Sequence, residues 1–209
     1  MGDDNTKFLH KAYQSKSAAE TSGVYDGWAA EYEDHMANVG YAHPAMVAAM
    51  ASRHLAPGIG PILDAGTGTG IMGEILTALG YPDLTGLDAS QGMLARAAKK
   101  GTYKALTHAF LGEPLDFADD AFAAVVSAGV FTQGHAPLSG FDELIRVTRP
   151  GGFLVFSVSR TYLEGSFQDK RGQLEGAGLW RAVDQSERYD STPQVEEVLI
   201  SQVFAFQAL

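Results

Sequence analysis

The chain contains no cysteine among its 209 residues, which excludes disulfides, thiolate metal sites and a cysteine nucleophile. Basic residues are also scarce: 15 Lys and Arg face 25 Asp and Glu, for a formal net charge of −10. Nucleic-acid binding relies on a basic face that releases counterions, and this composition argues against it. The opening MGDDNTKFLHKAYQSK has no apolar run of the kind a secretory leader needs. No later stretch approaches the ~20 apolar residues of a membrane span. A soluble, cytoplasmic protein acting without nucleic acid or membrane, as a monomer or homodimer, is therefore expected. MGDDNT does fit the N-myristoylation pattern, but Asp3 and Asp4 would be repelled by an anionic membrane surface. His10, His35, His43, His54 and His108 show no metal-ligand spacing, and no metal site is expected.

What is present points to one α/β domain. Hydrophobic residues make up 45% of the chain, enough for a sizeable core and too short a chain for two full domains. Residues 1–17 are polar and aperiodic, a flexible tail. Residues 18–57 read as N-terminal cap helices. One runs from Ser17 to about Asn38 with Tyr25, Trp28 and Tyr32 on one face; another runs from His43 to Leu55. Residues 58–209 then alternate strand and helix. Strands are expected at Pro61–Ala65, up to Asp88, near Tyr103–Phe110, at Phe122–Phe131 and at Phe153–Ser159, with helices at Ile71–Leu79, Gln91–Lys100 and Leu138–Thr148. Trp180–Arg188 and Glu197–Phe206 look extended and should pair as an antiparallel hairpin. The alternation implies a mostly parallel sheet with helices on both faces, and ligands at the carboxyl ends of its strands.

The stretch ILDAGTGTGIMGEIL carries two overlapping signatures. From Gly66 it is GxGxG, suited to a methionine-bearing cofactor; from Gly68 it is GxGxxG, ending at Gly73, suited to NAD or FAD. Asp88, at the end of the next strand, is placed to accept ribose hydroxyls, and both cofactors contain that ribose. Three features separate the two. Asp64 would attract an ammonium and repel a diphosphate. The segment EPLDFADDAFAAVVSAGVF follows at the spacing of further strands. The terminal hairpin gives seven strands with the last antiparallel, unlike a dinucleotide fold.

Taken together, ILDAGTGTG, LTGLDASQGMLARAAKKG, PLDFADDAFAAVVSAGVF and ELIRVTRPGGFLVFSV make the chain resemble a class I S-adenosylmethionine-dependent methyltransferase. VYDGWAAEYEDHM, LGEPLDF and GVFTQGHAP are similar, more narrowly, to the Williams–Beuren syndrome chromosome region methyltransferase-like group. The resemblance implies a Rossmann-like fold. It implies that Gly66, Thr67 and Gly68 pass beneath the methionine part of the cofactor and that Asp88 holds the ribose. It places Ala89 and Met93 beside the adenine, Gly112 and Glu113 at the adenine edge, and Ala128 and Gly129 on the methionine side. Relatives often carry an acid near Leu111 and an Asp where this chain has Ala123.

A sulfonium is an activated methyl donor, so the protein's task is to align a nucleophile and exclude water. An aromatic face near the sulfonium adds roughly 0.5–2 kcal/mol, which nominates Tyr25, Trp28 and Tyr32. Trp28 and Tyr32 are expected at the cofactor, and Tyr25, Phe131 and Tyr162 in the acceptor pocket. His135, just past the fourth strand, is the candidate general base. The expected activity is methyl transfer to an O, N or S atom of a small molecule. An NAD-dependent oxidoreductase and a non-catalytic S-adenosylmethionine sensor are the alternatives.

Overall fold

The computed structural model describes residues 18–132 and 134–209. The expected tail and the myristoylation pattern lie outside that range. The stretch read as one N-terminal helix is two: α1 (Ala18–Trp28) and α2 (Tyr32–Val39), separated by turns. Gly40 ends α2 in the left-handed conformation, its N–H bonded to the Ala37 carbonyl. The third helix, α3 (His43–His54), begins with Pro44 in its first turn, where a missing N–H costs nothing.

The core follows as β1 (Ile62–Ala65), α4 (Ile71–Ala78), β2 (Leu84–Asp88), α5 (Gln91–Lys100), β3 (Ala105–His108), β4 (Phe122–Phe131), α6 (Gly140–Arg146) and β5 (Thr148–Ser159). Beyond it come α7 (Arg160–Leu163), α8 (Ser166–Gly176), β6 (Trp180–Gln185), β7 (Tyr189–Asp190) and β8 (Ile200–Ala208). The strand order is β3-β2-β1-β4-β5-β8-β6. Pairings from β3 through to β5 are parallel, and β8 runs antiparallel to both β5 and β6. The expected seven-stranded layout with an antiparallel last strand is thus present, with the two-residue β7 as an extra pairing on β8.

Helix α8 escaped the sequence reading because only Phe167 and Leu174 are buried on it, too narrow a stripe to register as amphipathic. Alternating side chains of the central strands feed two cores. Leu63 and Val125 face a layer with Phe131, Phe141, Phe156 and Trp180; Ile62, Ala124 and Val126 face a layer under α3 and α4. Both faces are buried, so β4 reads as a nearly continuous apolar run. The order reverses between β1 and β4, and the crevice for a ligand opens there, beyond the carboxyl ends of the strands.

Candidate active site

Two adjoining cavities occupy this crevice. The smaller, about 120 Å³, is walled by Gly66, Gly68, Asp88, Ala89, Met93, Ala128 and the segment Ala109–Leu111, and roofed by Thr21, Ser22 and Tyr25 of α1. The larger, about 380 Å³, lies over the ends of β4 and β5 and is walled by His43, Phe131, Thr132, Ser157, Thr192 and Ser201 among others. Tyr25, Tyr32, Tyr41, Gly129 and His135 border both.

The floor of the smaller cavity is the turn after β1. A side chain at Gly66 would sit 2.1 Å from Val130 Cγ2, whereas one at Gly68 would meet nothing within 4 Å and would fill the cavity instead. The N–H groups of Gly66 and Thr67 both go to the Leu87 carbonyl, at 2.8 and 2.9 Å, and Gly68 N–H goes to Asp88 Oδ2 at 2.7 Å. These donors are therefore engaged within the protein. Asp88 Oδ1 accepts the Ser90 N–H at 2.8 Å, which fixes the carboxylate at the mouth of β2 with acceptor lone pairs to spare. Enclosure raises the Asp88 carboxyl above its ordinary value, a rise held back by the N–H donors of Ser90, Gly68 and Ala89.

The roof is tied down by polar contacts. Ser22 donates to the Ala89 carbonyl at 2.6 Å and Thr21 to the Gly134 carbonyl at 2.7 Å. Asp26 accepts from the Ser90 hydroxyl and the Gly92 N–H at 2.6 and 2.8 Å. Arg96 donates to the carbonyls of Ala29 and Ala30. Tyr25 Oη lies 2.6 Å from His135 Nε2, so the acceptor residue and the base expected from sequence meet where the cavities join.

Several expected positions lie elsewhere. Trp28 is fully buried against Met36 and Val39 and donates to His35 Nδ1 at 2.6 Å; it borders neither cavity, because the break in the helix after it turns its face into the helical cap. Asp64 is also fully buried and lines no cavity. Its Oδ2 accepts the Tyr103 hydroxyl at 2.6 Å, Oδ1 has no partner among the described residues, and burial pushes its pKa up to about 7. The Thr67 side chain is turned inward, donating to the Asp64 carbonyl at 2.9 Å. Gly112 and Glu113 are exposed and outside the cavity, whose edge is formed just before them by Ala109, Phe110 and Leu111. Tyr162 packs on the core and donates to the carbonyl of Ala136, a residue of the smaller cavity, at 3.3 Å, but itself borders neither cavity. Phe131 borders the larger cavity, but it is 1% exposed and its ring stacks on Phe141 at a centroid distance of 4.0 Å.

Sequence reasoning missed Thr21, Ser22 and Tyr41. The first two lie one turn before Tyr25 on the same helix face, a spacing that would have found them. Tyr41 carries no such signal: it reaches the site because Gly129, at φ +74°, leaves room for its hydroxyl, 2.0 Å from where a Cβ would stand.

An open α/β sheet of this order, with a glycine turn after β1 and a carboxylate closing β2, defines a Rossmann-like protein of the adenosine-binding class. Residues 63–156 match the family model described as a methyltransferase domain. The chain is 32% identical over 182 residues to Methyltransferase-like protein 27 of Homo sapiens, covering 84% of this chain and 74% of that protein. It is 34% identical over 146 residues to Demethylmenaquinone methyltransferase of Chlorobaculum parvum, covering 66% of this chain and 59% of that protein. Among solved structures, a TehB-like SAM-dependent methyltransferase from Corynebacterium glutamicum matches with a TM-score of 0.64 at 20% identity, over 88% of this chain and 99% of that one. The chain belongs to the class I S-adenosylmethionine-dependent methyltransferases. No helix among the described residues is long and apolar enough to cross a membrane, and no cluster of His, Asp and Glu among them is arranged to hold a metal ion.

Proposed function

We propose that the protein transfers a methyl group from S-adenosylmethionine to a nucleophilic O, N or S atom of a small molecule seated in the larger cavity. The observation that carries this reading is the junction of the two cavities at Tyr25, Tyr32, Tyr41, Gly129 and His135, a donor space opening directly onto an acceptor space. The glycine turn supports the same choice of cofactor. Three of its N–H groups are already spent on Leu87 and Asp88, so it offers little to a diphosphate.

S-adenosylmethionine, when bound, supplies an electrophilic methyl carbon on a sulfonium. Asp88 would hold the ribose hydroxyls, Ala89 and Met93 would flank the adenine with Ala109–Leu111 at its edge, and Gly66, Gly68, Ala128 and Gly129 would border the methionine part. Tyr32 and Tyr25 border the junction, where a ring face would suit a cation. With α1 drawn down by Asp26, Thr21 and Ser22, the roof excludes water from the junction. The junction would hold the nucleophile with its lone pair in line with that methyl carbon. The nucleophile's proton passes to the Tyr25 oxygen, whose own proton moves 2.6 Å to His135 Nε2.

Incubation with isotope-labelled methyl donor and a small-molecule cell extract, followed by mass spectrometry, tests the reading. A labelled small-molecule product is expected. Tight S-adenosylhomocysteine binding with no labelled product would make the protein a sensor. Calorimetric heat with NADH and none with S-adenosylmethionine or S-adenosylhomocysteine would make the cofactor a dinucleotide.

A further inference from the structure

The larger cavity contains a buried histidine that the methyl-transfer chemistry above leaves unused. His43 opens α3, is 7% exposed, and forms part of the cavity wall. Its Nδ1 is 2.7 Å from the Tyr189 hydroxyl, contributed by β7, 146 positions away. Ser157 of β5 lies beside the Tyr189 phenol, and its oxygen accepts the Gly129 N–H at 2.8 Å.

The Gly129 N–H can only donate, so Ser157 Oγ accepts from it. Ser157 is 1% exposed and placed to give its own proton to the phenol oxygen of Tyr189. A Tyr189 hydroxyl that accepts there gives its own proton to Nδ1 of His43. A neutral imidazole that accepts at Nδ1 carries its proton at Nε2. Burial keeps the ring neutral, pushing its pKa down to about 4. Among the described residues none is bonded to Nε2. A second polar group on the same wall is also unspent: the Thr192 hydroxyl, on a residue 2% exposed, has no partner among the described residues. The rim carries Arg160 and Glu164, paired with each other at 3.1 Å, and Glu197.

We infer that His43 selects the methyl acceptor, presenting an uncharged N–H donor to a carbonyl-type oxygen, of a neutral carbonyl or a carboxylate, on the small molecule in the larger cavity. The inference rests on the methyl-transfer reading for what the cavity holds. A molecule without such an oxygen leaves a buried donor unpaired, and sites built around a hydrogen bond reject such analogues strongly. The relay through Tyr189 and Ser157 sets which ring nitrogen carries the proton, so these two are positioning residues.

The test uses the full-length protein saturated with S-adenosylhomocysteine, with the His43 ring observed by nitrogen-15 NMR. The Nε2–H tautomer is expected, and the Nδ1–H tautomer would overturn the inference. The protein is then titrated with 4-hydroxybenzamide, 4-hydroxybenzoate and p-cresol, which share a phenol and differ in the carbonyl. The Nε2–H resonance should shift with the amide, the carboxylate or both, and the two arms tell which oxygen is preferred. Equal shifts with p-cresol, or no shift with any probe, would overturn it. In the labelled-extract assay, His43→Phe should lower product by about tenfold or more, as loss of a specificity hydrogen bond does, with S-adenosylhomocysteine affinity within about twofold. Tyr189→Phe, which keeps the ring volume, should release the tautomer and give a smaller loss; unchanged product in both variants would refute the role. The NMR arms need no turnover and run equally on the free protein. A protein that binds no S-adenosylhomocysteine defeats the methyl-transfer reading and leaves the His43 result separately readable.

Discussion

The Tyr103 hydroxyl donates a 2.6 Å hydrogen bond to Asp64 Oδ2, passing over Gly73, where a Cβ would stand 2.4 Å from the ring. The third glycine of the dinucleotide-like pattern thus serves a packing contact between α4 and the segment before β3. The acid expected to greet a cofactor ammonium is instead held inside the protein.

That burial makes Asp64 a pH-dependent liability. Its folded pKa, about 7, lies above the unfolded value of about 4, because burial outweighs the Tyr103 bond. The folded state therefore binds the extra proton, and stability falls as pH rises between those two values and stays lower above them. Asp64→Asn keeps an acceptor for Tyr103 and removes the ionisation. Urea unfolding should show the variant gaining on the wild type by on the order of 2–4 kcal/mol between about pH 4 and pH 8. A parallel pH slope in both proteins would assign the titration to another group.

Asp88→Ala deletes the acceptor for the Gly68 and Ser90 N–H groups as well as the proposed ribose contact. Calorimetry should show S-adenosylhomocysteine binding weakened by at least about tenfold, in line with the ~1.5–3 kcal/mol of a charged hydrogen bond. Unchanged affinity would remove Asp88 from the site.

Tyr25→Phe and His135→Ala each interrupt the 2.6 Å proton path. Turnover is expected to drop by about 10²-fold, the lower range for general acid–base groups, while cofactor affinity moves by less than about threefold. A comparable loss in affinity would show that the pair binds rather than shuttles.

Asp26 anchors α1 to the start of α5 through Ser90 and Gly92. Asp26→Ala should accelerate amide exchange across α1, because each lost bond to a charged acceptor is worth about 1.5–3 kcal/mol, and weaken S-adenosylhomocysteine binding with it. Intact α1 protection would mean that Thr21, Ser22 and Arg96 suffice.

At Gly129 a methyl group would both take up a positive φ and strike the Tyr41 hydroxyl. Gly129→Ala should cost about 1–3 kcal/mol in thermal or denaturant unfolding. Placing it on a Tyr41→Phe background removes the nearest atom, and the cost should shrink; equal costs in both backgrounds would leave backbone strain as the whole cause.

Much of the fold was readable from local pattern. Gln91–Lys100 and Phe122–Phe131 are bounded as expected, since Ser90 and Gly101 cap the one and two valines mark the other as a buried strand. Helix α8 was not readable, with two buried apolar residues seven apart, and the break between α1 and α2 falls in Ala29–Ala30–Glu31, where only Gly27 just before it gave a local sign. Of the candidate site, the turn at Gly66 and Gly68, Asp88, Ala89, Met93, Ala128, Gly129, Tyr25, Tyr32 and His135 all border the crevice, while Trp28, Asp64, Glu113 and Tyr162 do not.

By itself the sequence determined the order of strands and helices and hence the end of the sheet where a ligand sits, because hydrophobic period and glycine punctuation act over a few residues. Only the tertiary structure decided which side chains face that space. Tyr25 meets His135 across 110 positions, Asp64 is spent on Tyr103 across 39, and His43 is oriented by Tyr189 across 146. Such pairings depend on how layers pack and on where a glycine leaves room, and no local pattern carries that information.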